Sequence, residues 1–400
     1  MNIADETVPE YPKPAIPLSP VFTFNLFKKN KNKTKKNSIL SCKHILQLTN
    51  GRSAIAIALE HARIKKGDEV LIPAYHSLSM VHPVEWVQAT PVFFNILSDT
   101  NIDFSDIITK TTPNTKAIII THYFGVMQNL TEIKQYCISK NILLIEDCAH
   151  AFFGSKEGIS VGEQGDYSIA SSMKFFPCYD GGILASSCKD LSNIPLKNSP
   201  YLFEVKSFFN IIEKSIYYNR LNKLNKISEK MIIVKESLWE IIKSFSHRKS
   251  SITITPAASD GGYGLEEDWI HKKSTKVSGF IIKYSDHNEI IKKRKENYGA
   301  LHQELKNLKN SHPLYKTISA ETVPFLYPLY VDYPEESFSV LKSKGIPIWR
   351  FGEMLSTEIT NDNFPMSVEL SKHIFQFPCH QDLTEDEINW MISEIKNTIC

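Results

Sequence analysis

Leu143-Leu144-Ile145-Glu146-Asp147-Cys148-Ala149-His150-Ala151 is an apolar run that stops abruptly at two carboxylates. A short, wholly apolar run of this kind is the mark of a strand buried on both faces. Similar runs precede it: Val70-Leu71-Ile72, Val92-Phe93-Phe94 and Ala117 to Ile120. Helical stretches lie between several of them. Leu130 to Lys140 is one, and Ala54, Ile55, Ala58, Leu59 and Ala62 mark the apolar face of an earlier one. Strand–helix–strand alternation with apolar strands predicts an α/β fold, a mostly parallel sheet covered by helices on both faces. In such sheets ligands sit outside the carboxyl ends of the strands, so Glu146 and Asp147 stand where chemistry is expected. A carboxylate there can pair with a protonated heterocycle nitrogen; the competing reading is a cap for the next helix.

The rest of the chain is consistent with a large α/β domain plus a smaller one. Its 400 residues are 42% hydrophobic and 22% charged, ordinary for a globular protein with a sizeable core. A formal net charge of +2 gives no whole-protein field toward nucleic acid or a membrane surface. Seven scattered cysteines without a CxxC pair fit neither a disulfide framework nor a zinc site, so no metal is expected and a reducing compartment is. The first residues are acidic and proline-rich, unlike a signal peptide, and no run approaches the ~18 apolar residues of a membrane span. The expectation is a cytoplasmic protein.

The prolines between Pro9 and Pro20 predict an irregular arm over 1–40. Within it, the lysine-rich run Lys28–Lys36 reads as a solvated loop, with an anion-binding patch as the sharper alternative. Residues 41–255 are assigned to the large domain, with a helical insertion over 203–248 suggested by Phe208, Phe209, Ile212 and Ile216 and by Leu238, Ile241 and Ile242. Asp260-Gly261-Gly262-Tyr263-Gly264 reads as a hinge into a smaller C-terminal α/β domain, 256–400. There a basic helix is expected over 281–307, a strand over Pro324 to Val331, and a last helix opened by the capping box Thr384-Glu385-Asp386-Glu387.

Three more segments are candidates for chemistry. Asn50-Gly51-Arg52-Ser53 opens the first helix, and orphan amides at a helix N-terminus make a phosphate seat; plain capping is the bland alternative. Ser171-Ser172-Met173-Lys174-Phe175-Phe176-Pro177 sets a lysine among aromatic neighbours, where desolvation lowers the amine pKa as a Schiff-base nucleophile requires; on composition a snorkelling lysine is the simpler reading. Tyr75 and His76, just past a strand, are candidates to stack on an aromatic cofactor, with ordinary loop packing of equal weight.

Taken in order, GRSAI at 51–55, IPAYHS at 72–77, ATPVFFNI at 89–96, IEDCAHAFFG at 145–154, SSMKFFPCYDGGIL at 171–184 and FQFPCHQDLTEDEI at 375–388 resemble the DegT/DnrJ/StrS family of sugar aminotransferases. These are pyridoxal-phosphate (PLP) enzymes of fold type I. The resemblance is good over 45–190, looser over 280–400 and poor over 195–270. It implies that Lys174 carries the cofactor as a Schiff base and that Asp147 holds the proton on the ring nitrogen. His150 then lies near the phenolic oxygen, and the amides of Arg52 and Ser53, following Gly51, hold the phosphate. The chain departs from the family pattern where Ile169 replaces a serine five before the lysine, with Ser171 and Ser172 as substitutes. It departs again where the stacking aromatic falls on Ser77. The implied activity moves an amino group from glutamate to a keto group on a nucleotide-linked sugar, in a homodimer. Lys174 favours this over the dehydratase relatives, which carry histidine there. Arg350 is a candidate contact for a substrate carboxylate, with a structural salt bridge as its equal. Two other classes compete: a non-catalytic ligand-binding or regulatory protein on the same fold, and a surface binder acting through Lys28–Lys36 and the insertion.

Overall fold

The computed structural model describes residues 11–27, 37–221, 255–256, 259 and 261–399. The Lys28–Lys36 run and the part of the insertion from 222 onward, with Leu238, Ile241 and Ile242, lie outside the described residues.

A seven-stranded sheet organises the first half. Its strands are β1 (His44–Leu48), β2 (Glu69–Pro73), β3 (Thr90–Phe94), β4 (Thr115–Thr121), β5 (Leu143–Asp147), β8 (Tyr167–Ser171) and β9 (Gly182–Ser186). A small hairpin, β6 (Ser155–Lys156) and β7 (Ile159–Ser160), stands apart. The order is β1-β9-β8-β5-β4-β2-β3. The five strands from β3 to β8 are parallel, and β9 alone is reversed, pairing antiparallel with β8 on one side and with the edge strand β1 on the other.

The apolar runs are explained by alternation within each strand. Val70, Ile72, Ala117, Ile119 and Ile145 point to one face and pack with Ile55, Ala58 and Leu59 of α1 (Gly51–His61) and with Met80 and Val84 of α2 (Leu78–Trp86). Their neighbours Leu71, Ile118, Ile120 and Leu144 point the other way. They meet Ile107 of α3 (Phe104–Lys110) and Ile133 and Cys137 of α4 (Thr131–Lys140). A strand with helices on both sides has no polar face to show, so every position is apolar.

The second half holds a four-stranded antiparallel sheet of β10 (Ser311–Pro313), β11 (Leu326–Val331), β12 (Trp349–Arg350) and β13 (Ile374–Pro378), in the order β10-β11-β13-β12. The helix α5 (Tyr201–Tyr217) leads towards it, followed by α6 (Lys276–Tyr284), α7 (His287–Leu305), α8 (Pro334–Ser343), α9 (Pro365–His373) and α10 (Glu385–Ile399). Leu329, Val331, Phe375 and Phe377 pack under Tyr298, Leu301 and Leu305 of α7 and Ile388, Met391 and Ile395 of α10. The box opening α10 forms reciprocally: the Thr384 amide donates to the Glu387 carboxylate at 2.8 Å, and the Glu387 amide to Thr384 Oγ1 at 3.2 Å.

Two expectations need correction. The helix expected over 281–307 is two helices, because Asp286 accepts from the amides of Asn288 and Glu289 and so starts α7 afresh. In α5 the buried face is Phe203, Ser207, Ile211 and Ser215, while Phe208 is exposed. Ser207 turns inward because its Oγ meets Thr275 Oγ1 at 3.2 Å beside the buried Asp180 carboxylate, while Ser215 donates back to the Ile211 carbonyl of its own helix. The arriving partner is polar, so apolar periodicity picked the wrong face.

Candidate active site

Three adjacent parallel strands end side by side. Thr121 of β4 is in register with Asp147 of β5, and Asp147 with Ile169 of β8. All three line a cavity of about 590 Å³, within the range of small-molecule sites. Asp147 Oδ1 accepts from the Ala149 amide at 2.9 Å and Oδ2 from Thr121 Oγ1 at 3.4 Å. Burial pushes its carboxyl above the usual range; the Ala149 amide and the nearby Lys174 charge work against that shift. The preceding Glu146 points away from the cavity, accepting from the amides of Gly162, Gln164 and Gly165 and lying 2.9 Å from His122 Nε2. His122 Nδ1 accepts from the Gln128 amide, so Nε2 carries the hydrogen donated to Glu146.

Lys174 ends a single helical turn, Ser172–Lys174, that follows β8 directly. The turn is closed by the amides of Phe175 and Phe176, which donate to the Ser172 carbonyl, and by the Ser172 amide, which donates to Gly181 O at 2.9 Å. Gly182 lets this loop run hard against the start of α1: a Cβ there would meet Asn50 O at 2.1 Å. The Lys174 amine lines the cavity with its Nζ 5.4 Å from the Phe325 ring centre. Burial draws its pKa from 10.5 down to about 8, despite the opposing pull of Asp147.

At the N-terminus of α1, Asn50 is the cap, and its Oδ1 accepts from both the amide and the hydroxyl of Ser53. Ser53 is therefore committed and buried away from the cavity, a correction to its expected role. The amides of Gly51 and Arg52 belong to the first turn and have no intrahelical acceptor, and both residues line the cavity. The Arg52 guanidinium donates to the carbonyls of Gly262 and Gly264, tying the glycine-rich segment 261–264 to this helix.

Of the other expected residues, His150 and Ser171 line the cavity. The His150 ring packs on Phe325 at 4.8 Å and Phe124 at 5.7 Å, with its Nδ1 buried and without a partner. Burial, and then the charge of Lys174, hold it well below the usual imidazole range. Ser172 is fully buried outside the lining, its backbone closing the turn. Tyr75 and His76 are also outside it. Tyr75 stacks on Tyr123 at 5.4 Å, and His76 stacks on Phe93 at 4.9 Å and accepts from the Ser356 amide through Nε2. Neither presents a ring to the cavity; the nearby residues that line it are Ser77 and Met80, which have no ring to offer. Arg350 lines the cavity, but its guanidinium is held by Glu335 at 2.8 Å and Glu353 at 3.2 Å. Sequence reasoning missed Thr121, Phe325 and Lys214. Thr121 ends a strand beside Asp147, which was a usable signal; Phe325 and Lys214 come from distant segments and gave none.

Residues 34–194 match the model of the DegT/DnrJ/EryC1/StrS aminotransferase family. GDP-perosamine synthase of Escherichia coli O157:H7 is 34% identical over 147 residues, 36% of this chain and 40% of that protein. A putative L-glutamine:3-amino-2,3-dideoxy-scyllo-inosose aminotransferase of Micromonospora echinospora is 33% identical over 174 residues, 40% and 41% of the two chains. The chain thus spans about two fifths of the length of the curated relatives it matches. Solved structures extend the likeness in fold. The PLP-form of the putative sugar aminotransferase Spr1654 from Streptococcus pneumoniae covers 96% of this chain and 98% of its own, with TM-score 0.65 and 17% identity. Helicobacter pylori PseC, an aminotransferase involved in pseudaminic acid biosynthesis, covers 90% and 88% with TM-score 0.63 and 15% identity. Residues 34–194 therefore resemble the DegT/DnrJ/EryC1/StrS aminotransferase family, within a chain that over nearly its whole length shares the fold-type-I α/β architecture of solved sugar aminotransferases.

Proposed function

We propose that the protein is a PLP-dependent aminotransferase that moves an amino group from glutamate to the keto group of a nucleotide-linked sugar, for amino-sugar or surface-polysaccharide synthesis. One observation carries the reading: the half-buried Lys174 side chain, its amine pKa lowered by desolvation, shares a cavity with the buried carboxylate of Asp147 and the open first turn of α1.

The residues present fit the cofactor. An anion is accommodated by the amides of Gly51 and Arg52, with Ser171 beside them. His150 Nδ1 is buried without a partner and so has a hydrogen-bonding position to offer. Its ring already packs on two phenylalanines, so a nitrogen, rather than a ring face, is what it brings. Bound there, PLP supplies an aldehyde that condenses with amines and a ring that withdraws electrons.

The chain's own residues do the rest. Lys174, with a pKa of about 8, has a usable share of free amine near neutrality, and its Nζ is placed to take and return the proton at the donor's α-carbon. Asp147, dry and without a full salt bridge, favours a proton on a facing ring nitrogen. Phe325, Phe351 and His150 form an aromatic wall that keeps water from the amine.

For the acceptor, Arg350 is already paired with two carboxylates. Lys214 of α5 lines the same cavity, bonds Ser19 Oγ at 2.5 Å and has no carboxylate within 4 Å among the described residues. We assign it to the phosphates of the acceptor. The same reading makes the protein a cytoplasmic homodimer; the six described cysteines are free, and among the described residues no helix is long and apolar enough to cross a membrane.

The test is the absorption spectrum of the purified protein before and after glutamate. A visible band that glutamate abolishes supports cofactor and donor together. A protein that neither carries PLP nor takes it up would turn the reading toward a ligand-binding protein on this fold.

A further inference from the structure

Arg294 of α7 is fully buried, and among the described residues no carboxylate lies within 4 Å of it. A guanidinium out of water without a counter-ion is costly unless its hydrogens are used. Here the uses are specific. Nη2 donates to the carbonyl of Lys174 at 2.8 Å. Nη1 donates to the carbonyls of Phe325 at 3.0 Å and Pro324 at 3.3 Å. Nε donates to Gln381 Oε1 at 3.1 Å, and Gln381 Nε2 in turn donates to Phe175 O at 3.0 Å. The guanidinium carbon lies 4.4 Å from the centre of the Phe175 ring.

Every one of these bonds ends on the lysine turn, on the segment carrying Phe325, or on a side chain that holds one of them. The two segments come from different sheets and would otherwise meet only through side-chain packing. Phe325 is the ring against which the Lys174 amine and His150 both rest, at 5.4 and 4.8 Å. The fork is planar and rigid, so donating from its two ends fixes the distance between the two backbones it joins. Elsewhere in the second half, apolar packing such as that of Leu301 and Leu305 against Leu329, with hydrogen bonds from neutral side chains such as Asn297, holds sheet to helix without burying a charge.

We propose that Arg294 is a positioning residue for the reaction, a brace that sets the Lys174 backbone against the Phe325–His150 wall and thereby aims the amine into the cavity. This rests on the reading of Lys174 as the cofactor-bearing residue.

The experiment compares Arg294→Met and Arg294→Lys with the wild type in three readouts. The first is made on cofactor-free protein: the pH midpoint for acylation of Lys174 by acetic anhydride, read by peptide mass mapping. The brace predicts that this midpoint rises by about one unit in Arg294→Met, as water reaches the amine, and by less in Arg294→Lys. The second is the glutamate half-reaction of the holoenzyme, expected to lose about 10- to 100-fold in rate constant with the glutamate KM little changed, and to be partly restored in Arg294→Lys. The third is the melting temperature. Variants that melt lower but keep the wild-type acylation midpoint and half-reaction rate would reduce Arg294 to a packing element and overturn the inference. Should Arg294→Met fail to fold, Arg294→Lys is read against the same criteria. If the wild type proved to carry no PLP on Lys174, the proposed function would fall, while the acylation midpoint would still decide whether Arg294 positions that amine.

Discussion

Two half-buried lysines open into one cavity, and desolvation draws both amines from 10.5 down to about 8. By acidity alone they are twins. Their settings differ. Lys174 follows a strand of the family-matched segment, with Asp147 across the cavity and an aromatic wall beside it. Lys214 sits on α5, beyond that segment, bonded to Ser19 of the N-terminal arm; the acid that acts on it is Asp382, itself pushed up to about 7 by burial. A depressed amine pKa therefore nominates a residue without assigning it a task. Position relative to the strand ends and to Asp147 does the assigning.

The comparison breaks most directly at the two amines. Lys174→Ala should abolish the visible band and cut turnover by about 10³-fold or more, whereas Lys214→Ala should keep the band. The opposite pattern would exchange their roles. Asp147→Asn tests the partner that Lys214 lacks: the glutamate half-reaction should slow by about 10²-fold with little change in donor KM, because charge next to the reacting system matters most in the transition state. Lys214→Met sharpens the other side. Losing a charge-assisted contact should raise the acceptor KM by about tenfold or more while the glutamate half-reaction proceeds as before. An unchanged acceptor KM would remove Lys214 from the site.

A pH series separates this desolvated pair from exposed lysines. In cofactor-free protein, acylation of Lys174 should be half-maximal near pH 8, well below the ordinary lysine value of 10.5. The sign for stability follows. Between about 8 and 10.5 the unfolded chain still binds the protons that the folded chain has released at Lys174 and Lys214, so these two groups make the fold more stable as pH rises across that window. Thermal melts at successive pH values check it. The smallest effect calibrates the others: Thr384→Ala, remote from the cavity, removes half of a capping box and should cost about 1 kcal/mol in melting experiments without touching either lysine's chemistry.

What was legible before the structure follows from locality. Strands buried on both faces announce themselves, and so do the residues at their ends, which is why Asp147, His150, Ser171 and Lys174, singled out from the sequence, all line one cavity. Capping is local too, and Thr384–Glu387 formed as read. Errors arose where a local signal had two outcomes. Tyr75 and His76 follow a strand as a stacking residue would, yet aromatic partners from 93 and 123 took them into the core. Ser53 stands in a phosphate-seat motif, but Asn50 claimed its amide. Phe208 fits helical periodicity, but a buried carboxylate at 180 drew Ser207 of α5 inward. Phe325, Arg294 and Lys214 were invisible because their meaning comes from contacts more than a hundred residues away along the chain, or with an arm that carries no motif of its own.

Glu146 and Asp147 are chain neighbours sent to opposite sides of β5, the first clasped by three amides and an imidazole, the second left to face the cavity. Alternation along a strand makes this division of labour a matter of counting. Deleting one residue from β5 would exchange the two acids, delivering a longer side chain to the ligand and leaving the 162–165 loop to be gripped by a shorter one. The end of this strand should thus tolerate replacement of its apolar residues far better than any change in its length.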